Sequence, residues 1–344
     1  MSKNILVTGG CGFIGANFIR LALQTRSDIK ITNLDVLTYS GNPENLAEIQ
    51  NDPRYTFVHG DIRDEVLVAK LFAECEAVVH FAAESHVDRS ILDSKPFIES
   101  NVLGTQILLD AARKAWGNSG SGGGRFIHVS TDEVYGDLPL DRPDLLFTES
   151  TPINAHSPYS ASKAASDLLV LAAHHTFGLN VNITRCSNNF GPYQFPEKVI
   201  PLFVTNLIED KQVPLYGDGR NVRDWLHVDD HCEAILTVLE KGVSGEVYNI
   251  GGNNERSNLE LTHMILDVMG KGKDMIRPVE DRLGHDRRYA IDPTKIKTQL
   301  GWEPTRSSWP EALEATVKWY VDNANWWQRV KSGAYREYYQ KQYG

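Results

Sequence analysis

A short apolar run, Asn4-Ile5-Leu6-Val7-Thr8, leads directly into Gly9-Gly10-Cys11-Gly12-Phe13-Ile14-Gly15. No other stretch of the chain limits its fold as tightly. The glycines fit G-x-G-x-x-G from Gly10 and also a frame made of Gly9, Gly12 and Gly15. Glycine at this spacing permits a tight turn and lets the backbone approach a pyrophosphate at the start of the next helix. Ile14, Phe18 and Leu21 then repeat at helical spacing. Alone, such a pattern is often only a turn. Here a second strand, Lys30 to Leu34, ends at Asp35, twenty residues beyond Gly15. A carboxylate at that place binds a ribose 2′-hydroxyl, and no arginine follows at once for a 2′-phosphate. The pattern predicts NAD rather than NADP.

Further strand runs keep the alternation going. Thr56 to His59 leads to Gly60-Asp61-Ile62, which places Asp61 for an adenine contact. Ala77 to Phe81 opens into Ala82-Ala83, small residues suited to close approach of the ribose–nicotinamide side. Asn101 to Lys114 reads as an amphipathic helix with Val102, Leu103, Ile107, Leu108 and Ala111 facing inward. Strands at Phe126 to Val129, Asn180 to Thr184 and Val247 to Ile250 follow. The fold class is therefore α/β: a Rossmann-type parallel sheet with helices on both faces, plus a smaller C-terminal substrate lobe. A length of 344 residues suits two such units. The dinucleotide domain is expected over 1–190, with 226–252 returning to it, and the lobe over 191–225 and 253–344. Gly117 to Gly124 is the one low-complexity segment and reads as a flexible surface loop.

Composition excludes several classes. The formal charge of −10 argues against bulk binding to nucleic acid or an anionic membrane. Cys11, Cys75, Cys186 and Cys232 form no CxxC pair and read as reduced thiols of a cytoplasmic protein. No signal peptide is expected, and no apolar run reaches membrane-spanning length. His80 reads as a packed core histidine. His86 and Asp88 lack partners at metal-ligand spacing, so no metal is expected. Asp229-Asp230-His231 reads as a helix start with favourable acidic residues. The tail tryptophans Trp302, Trp309, Trp319, Trp326 and Trp327 suit packing of a terminal helix on the lobe.

The chemistry concentrates in Ser130-Thr131-Asp132-Glu133-Val134-Tyr135-Gly136, answered by Tyr159-Ser160-Ala161-Ser162-Lys163. The first spills a hydroxyl and two carboxylates from a strand end. The second opens a helix, where residues four apart share a face, bringing the Tyr159 phenol beside the Lys163 ammonium. A neighbouring cation favours phenolate, giving a base for a sugar hydroxyl. Adjacent carboxylates repel, which favours one protonated and one ionised member. Ala161, Ala164, Ala165, Leu168, Leu169 and Ala172 are the expected buried face of that helix. Arg223 is the candidate for a diphosphate, because a guanidinium makes forked contacts.

The glycine frame, Tyr159-x-x-x-Lys163 and Ser130-Thr131 resemble the extended short-chain dehydrogenase/reductase superfamily. Within it, Thr131-Asp132-Glu133 is similar to the dTDP-glucose 4,6-dehydratases. The likeness continues through Ala82 to Ser90, Asn188 to Tyr193, Phe195 to Lys198 and Gly284 to Tyr289. It implies dTDP-glucose as substrate, tightly bound NAD, a homodimer and a first step toward deoxysugars such as rhamnose. Thr131, Asp132, Glu133, Tyr159 and Lys163 would be catalytic. The cofactor would meet Gly9, Gly12, Phe13, Ile14, Gly15, Asp35, Leu37, Thr38, Asp61, Ile62, Phe81, Ala82, Ala83, Ser100, Tyr159, Lys163 and Asn189. The nucleotide sugar would meet Ser85, Asn188, Lys198, Val199, Pro214, Tyr216, Arg223, Asn258, Arg282 and His285. Tyr159 would deprotonate the C4 hydroxyl, held by Thr131, while hydride leaves C4. Glu133 would take the C5 proton and Asp132 would protonate the departing C6 hydroxyl. A 4-epimerase or another dehydratase of the same superfamily is the alternative.

Overall fold

The structure, a computed structural model, describes residues 3–117 and 124–331. The loop expected at 118–123 and the last part of the tail, to Tyr343, lie outside the described residues. The first half runs β1 (Lys3–Thr8), α1 (Phe13–Thr25), β2 (Ile29–Asp35), β3 (Tyr55–His59), α2 (Glu65–Phe72) and β4 (Ala77–His80). Two short helices, α3 (Val87–Leu92) and α4 (Lys95–Phe97), lead through a π-helical turn at Ile98–Gly104 into α5 (Thr105–Trp116). Then come β5 (Arg125–Thr131), α6 (Pro158–Phe177), β6 (Val181–Cys186) and β7 (Asn188–Phe190). The second half contributes α7 (Val199–Ile208), β8 (Val213–Tyr216), β9 (Val222–His227), α8 (Val228–Lys241) and β10 (Val247–Ile250). It closes with β11 (Glu255–Ser257), α9 (Asn258–Val268), β12 (Ile276–Val279), α10 (Thr294–Leu300), α11 (Glu311–Asp322) and α12 (Ala324–Val330).

Seven parallel strands form the main sheet in the order β10-β6-β5-β4-β1-β2-β3. Successive side chains of a strand point to opposite faces, and here both faces are covered. Ile5 and Val7 enter the layer under α1, α8 and α10, whereas Leu6 enters the layer under α2, α5 and α6. The order reverses beside β1, so the carboxyl ends of β1 and β4 flank a crevice where such sheets take ligands. His80 is packed within the sheet, its ring nitrogens 2.7 Å from Thr8 Oγ1 and 3.0 Å from Thr105 Oγ1. The lobe has its own core, in which Phe203, Trp225, Tyr320, Trp326 and Trp327 pack together. A three-stranded sheet, β11-β9-β7, joins it to the rest.

Three sequence expectations are corrected. Leu103 is 51% exposed rather than inward. It lies in the π-helical turn, whose wider winding shifts the phase of the apolar positions. On α6 the expected apolar face is split: Ala164 is buried and Ala165 and Leu169 are half-buried, but Ala161, Leu168 and Ala172 are exposed, while Tyr159, Ser162, Lys163, Ser166 and Asp167 are buried. Those polar groups find partners inside, among them Asn101, Val129 and Arg185, so their burial is compensated. Finally, the lobe does not take all of 253–331. Ile296, Leu300 and Trp302 pack in the core of the main sheet.

Among the described residues no helix is long and apolar enough to cross a membrane. Trp327 is fully buried and donates its indole N–H to Tyr320 O at 2.9 Å. Trp327→Ala is expected to cost about 3–5 kcal/mol, read as a lower midpoint in chemical denaturation; an unchanged midpoint would show that this helix carries no stability.

Candidate active site

The glycine turn sits hard against the end of β4. Gly9 has φ +71°, and a Cβ there would lie 2.6 Å from Ala82 N. A Cβ on Gly15 would lie 2.4 Å from Gly9 O. Any side chain at either place would push the turn off the strand end. Gly12 caps α1 without a side-chain partner for the first helical amides, and Phe13, Ile14 and Gly15 line the cleft at that end. Unpaired amides at a helix start are an anion site. Asp35 closes the other side, accepting Cys11 N at 2.9 Å and Leu37 N at 2.8 Å. Its carboxylate is thereby fixed with lone pairs left for hydroxyls. Thr38, Asp61, Ile62, Phe81, Ala82, Ala83, Ser100 and Asn189 line the same cleft. This combination of a bare helix start, a fixed carboxylate and small residues fits a dinucleotide. Leu37 is the exception: it is not in the wall, and its contribution is the amide that orients Asp35.

The catalytic candidates converge at the carboxyl end of β5. Thr131 caps a single 3-10 turn, Asp132–Tyr135, accepting Glu133 N at 3.3 Å. Gly136, at φ +87°, ends that turn where a Cβ would meet Asn154 O at 2.5 Å. Ser157 and Ser160 form a reciprocal capping box with Pro158 in the first turn, so α6 starts sharply one residue before Tyr159. Thr131, Asp132, Glu133, Tyr159 and Lys163 all line the cofactor cleft. Lys163 Nζ donates to Val129 O at 2.8 Å.

Electrostatics separate the two carboxylates. Burial, then the neighbouring Glu133 charge, pushes Asp132 well above the ordinary carboxylate range. Its Oδ2 is buried with no hydrogen-bond partner. Glu133 is also raised by burial, but Arg282, Arg223 and Lys198 pull it back. Asp132 is thus the more strongly raised of the two. Burial lowers Lys163 to about 8. Tyr159 runs against the expectation drawn from its neighbour: burial first, then the Glu133 charge, raises the phenol well above its usual value. Lys163 alone does not offset the loss of water around the ring.

A second cavity adjoins the first through Glu133, Asn188, Asn189 and Lys198. Val199, Pro214, Tyr216, Arg223, Asn258, Arg282 and His285 line it, so residues from 188 to 285 meet in one place. Ser85 lines the first cavity, and its carbonyl takes Lys198 Nζ at 3.0 Å. Arg223 stacks on Tyr289, 4.2 Å from the ring centre, and donates to Asp286 O at 2.9 Å. Asn188 Oδ1 is buried with no hydrogen-bond partner, an acceptor available to a ligand.

Sequence reasoning missed two carboxylates here. Asp88 takes Arg282 at 3.1 Å and the Tyr216 hydroxyl at 3.2 Å. Glu197 is buried between the Tyr39 hydroxyl at 2.9 Å and Arg89 Nε at 3.2 Å. Their partners lie far along the chain, so no local pattern marks them. Asp230, by contrast, works at the start of α8 as an acceptor: it takes the amides of Thr305 and Arg306 and the Ser307 hydroxyl.

Comparison with known proteins gives a consistent result. The family model of the GDP-mannose 4,6 dehydratases matches residues 6–313. A dTDP-glucose 4,6-dehydratase of Streptomyces niveus is 53% identical over 332 residues, covering 95% of this chain and 96% of its own length. That of Escherichia coli is 49% identical over 355 residues, with 96% and 97% covered. A crystal structure of a dTDP-glucose 4,6-dehydratase from Streptomyces venezuelae, with NAD and TYD bound, superposes with a TM-score of 0.90. It is 52% identical, and the match covers 95% of this chain and 100% of that one.

The raised Asp132 has a consequence for stability. Between its unfolded and folded titration ranges the native state keeps a proton that the unfolded state has lost, so Asp132 lowers stability as pH rises. Asp132→Asn is expected to raise the thermal midpoint at pH 7–8, by on the order of 2–4 °C for each kcal/mol relieved, and to leave it unchanged at acid pH. A variant less stable than wild type at pH 8 would contradict a buried, protonated Asp132.

Proposed function

The chain belongs to the dTDP-glucose 4,6-dehydratase family, and on that premise we propose that it removes water across C5 and C6 of dTDP-glucose to give dTDP-4-keto-6-deoxyglucose. The observation that carries this reading is the pair Asp132-Glu133, one carboxyl held protonated and the other drawn toward ionisation, beside Tyr159 and Lys163 in one cleft. NAD, which the Streptomyces venezuelae relative holds in its crystal structure, would when bound take the C4 hydride and return it to C6.

The protein's own groups do the rest. Tyr159 takes the C4 hydroxyl proton, and Lys163 supports the developing phenolate. Thr131, at the last position of β5, holds the same oxygen. Oxidation at C4 acidifies the C5 proton, and Glu133 removes it. Asp132 delivers its proton to the C6 hydroxyl, which leaves as water. Glu133 then returns a proton to C5. Arg223 and Arg282, with Lys198, give the adjoining cavity the positive charge a diphosphate needs. Asn188 offers its free carbonyl oxygen to a hydroxyl or amide of the nucleotide sugar. The cycle is redox-neutral, so the cofactor need not exchange.

The protein works as a homodimer in the cytoplasm. Leu103 beside α5 and Leu168 on α6 are 51% and 56% exposed, apolar positions that suit the burial of α5 and α6 against a second copy. All four cysteines are free thiols, in keeping with a reducing compartment.

Mass spectrometry of dTDP-glucose incubated with the protein in deuterated water tests the reaction. The expected product lacks one water and carries deuterium at C5; unchanged mass with inversion at C4 would point to an epimerase. Glu133→Gln is expected to reduce bound cofactor on adding substrate, seen by absorbance, yet to lose about 10²–10⁴-fold in product formation. Full turnover by that variant would remove Glu133 from its role. Leu103→Glu/Leu168→Glu is expected to halve the mass measured by light scattering, and a variant that stays dimeric would place the interface elsewhere.

A further inference from the structure

A second buried charge lies behind the catalytic pair and has no part in the cycle above. Tyr159, Lys163 and Asp167 stand four residues apart on α6 and form one row on its inward face. The Asp167 side chain has no exposure at all. Its Oδ2 accepts from Arg185 Nε on β6 at 2.8 Å, and its Oδ1 lies 3.4 Å from His128 Nε2 on β5. Arg185 is anchored in turn over the Tyr135 ring, 4.8 Å from its centre. This arrangement sits directly under the floor of the site, because Val129, the acceptor for Lys163 Nζ, follows His128 on the same strand.

The groups around Lys163 can be counted by element. On its own helix they are Tyr159 and Asp167. On β5 there is His128, lowered to about 4 and neutral. On β6 there are Arg185 and Cys186, the thiol raised by burial and also neutral. Behind them on β4 is His80, lowered well below its usual value. Two further acidic groups, Asp132 and Glu133, stand on the turn that follows β5; Asp167 is the one anion of this set beneath the site. Without it, Lys163 would be a buried ammonium facing a single carbonyl, a setting in which the charge is readily lost.

We propose that Asp167 is a positioning residue for the C4 oxidation: in the same buried row and anchored by Arg185, its carboxylate keeps Lys163 cationic beside Tyr159. The inference rests on the reading of Tyr159 and Lys163 as the oxidising pair. A merely structural ion pair would explain the Arg185 contact but not its place in the catalytic row. Buried pairs are in any case poor sources of net stability. The influence of Asp167 runs upward on Lys163, against the burial that lowers it to about 8. Removing the carboxylate takes Lys163 further down, so the neutral lysine forms at lower pH.

The test is the pH dependence of kcat for dTDP-glucose dehydration by the holoenzyme. Asp167→Asn is expected to move the alkaline limb down by about one pH unit or more, with KM unchanged, and Asp167→Glu to restore the limb. Should Asp167→Asn strand the Arg185 charge and fail to fold, Asp167→Asn/Arg185→Gln removes both charges together and is expected to show the same downward shift. A limb that stays in place in either folded variant overturns the proposal, even if kcat falls. Wild-type protein that forms no dehydrated product would instead overturn the function on which it rests.

Discussion

The structure depends on α6 turning a polar face to the sheet. A helix in this position ordinarily buries an apolar stripe; here Val170 and Ala173 go in, but Lys163 and Asp167 go in with them while Leu168 is left outside. Burying polar groups is tolerable because these find partners: Ser162 meets Asn101, Ser166 the Asn101 carbonyl, Lys163 the Val129 carbonyl, and Asp167 Oδ2 meets Arg185. Removing any one partner would leave a buried group unsatisfied, which costs more than a hydrogen bond gains. The same contacts hold Tyr159 at the carboxyl end of β5, so the stability of the helix and the geometry of the site are one problem with one solution.

A second constraint ties the lobe to the dinucleotide domain. Lys198 reaches back to Ser85, Arg282 to Asp88, and Glu197 to Tyr39 and Arg89. Each contact joins a segment that follows the carboxyl end of a strand, α3 among them, to a segment of the lobe. The cofactor cleft and the adjoining cavity therefore share a wall, and Glu133 belongs to both. Chemistry that starts at C4 and finishes at C6 needs that continuity, since the sugar must meet acid, base and hydride acceptor without moving between sites.

The electrostatic character of the site follows from its dryness. Burial raises Asp132, Glu133 and Tyr159 and lowers Lys163. Differences between like groups then come from which charges lie nearby. Asp132 has an anion for its nearest influence, whereas Glu133 has Arg282, Arg223 and Lys198. Two neighbours in sequence, both raised by burial, are thus pulled apart by residues up to about a hundred and fifty positions away.

Much of this was legible in the chain. The glycine turn, Asp35 at the end of β2 and the rhythm of apolar runs determine the parallel sheet, because backbone sterics and side-chain period are local properties. Thr131-Asp132-Glu133 and Tyr159-x-x-x-Lys163 are local too, and family likeness supplied the positions from Ser85 to His285. The remainder was decided by tertiary structure alone. Which face of α6 is buried, the exposure of Leu103 past a π-helical turn, the return of Ile296 to Trp302 to the main core, and the pairing of Asp88, Glu197 and Asp167 all depend on partners distant in sequence. Even the state of Tyr159 belongs there. The sequence places a cation four residues away, but desolvation and the Glu133 charge act through space, and neither can be read along the chain.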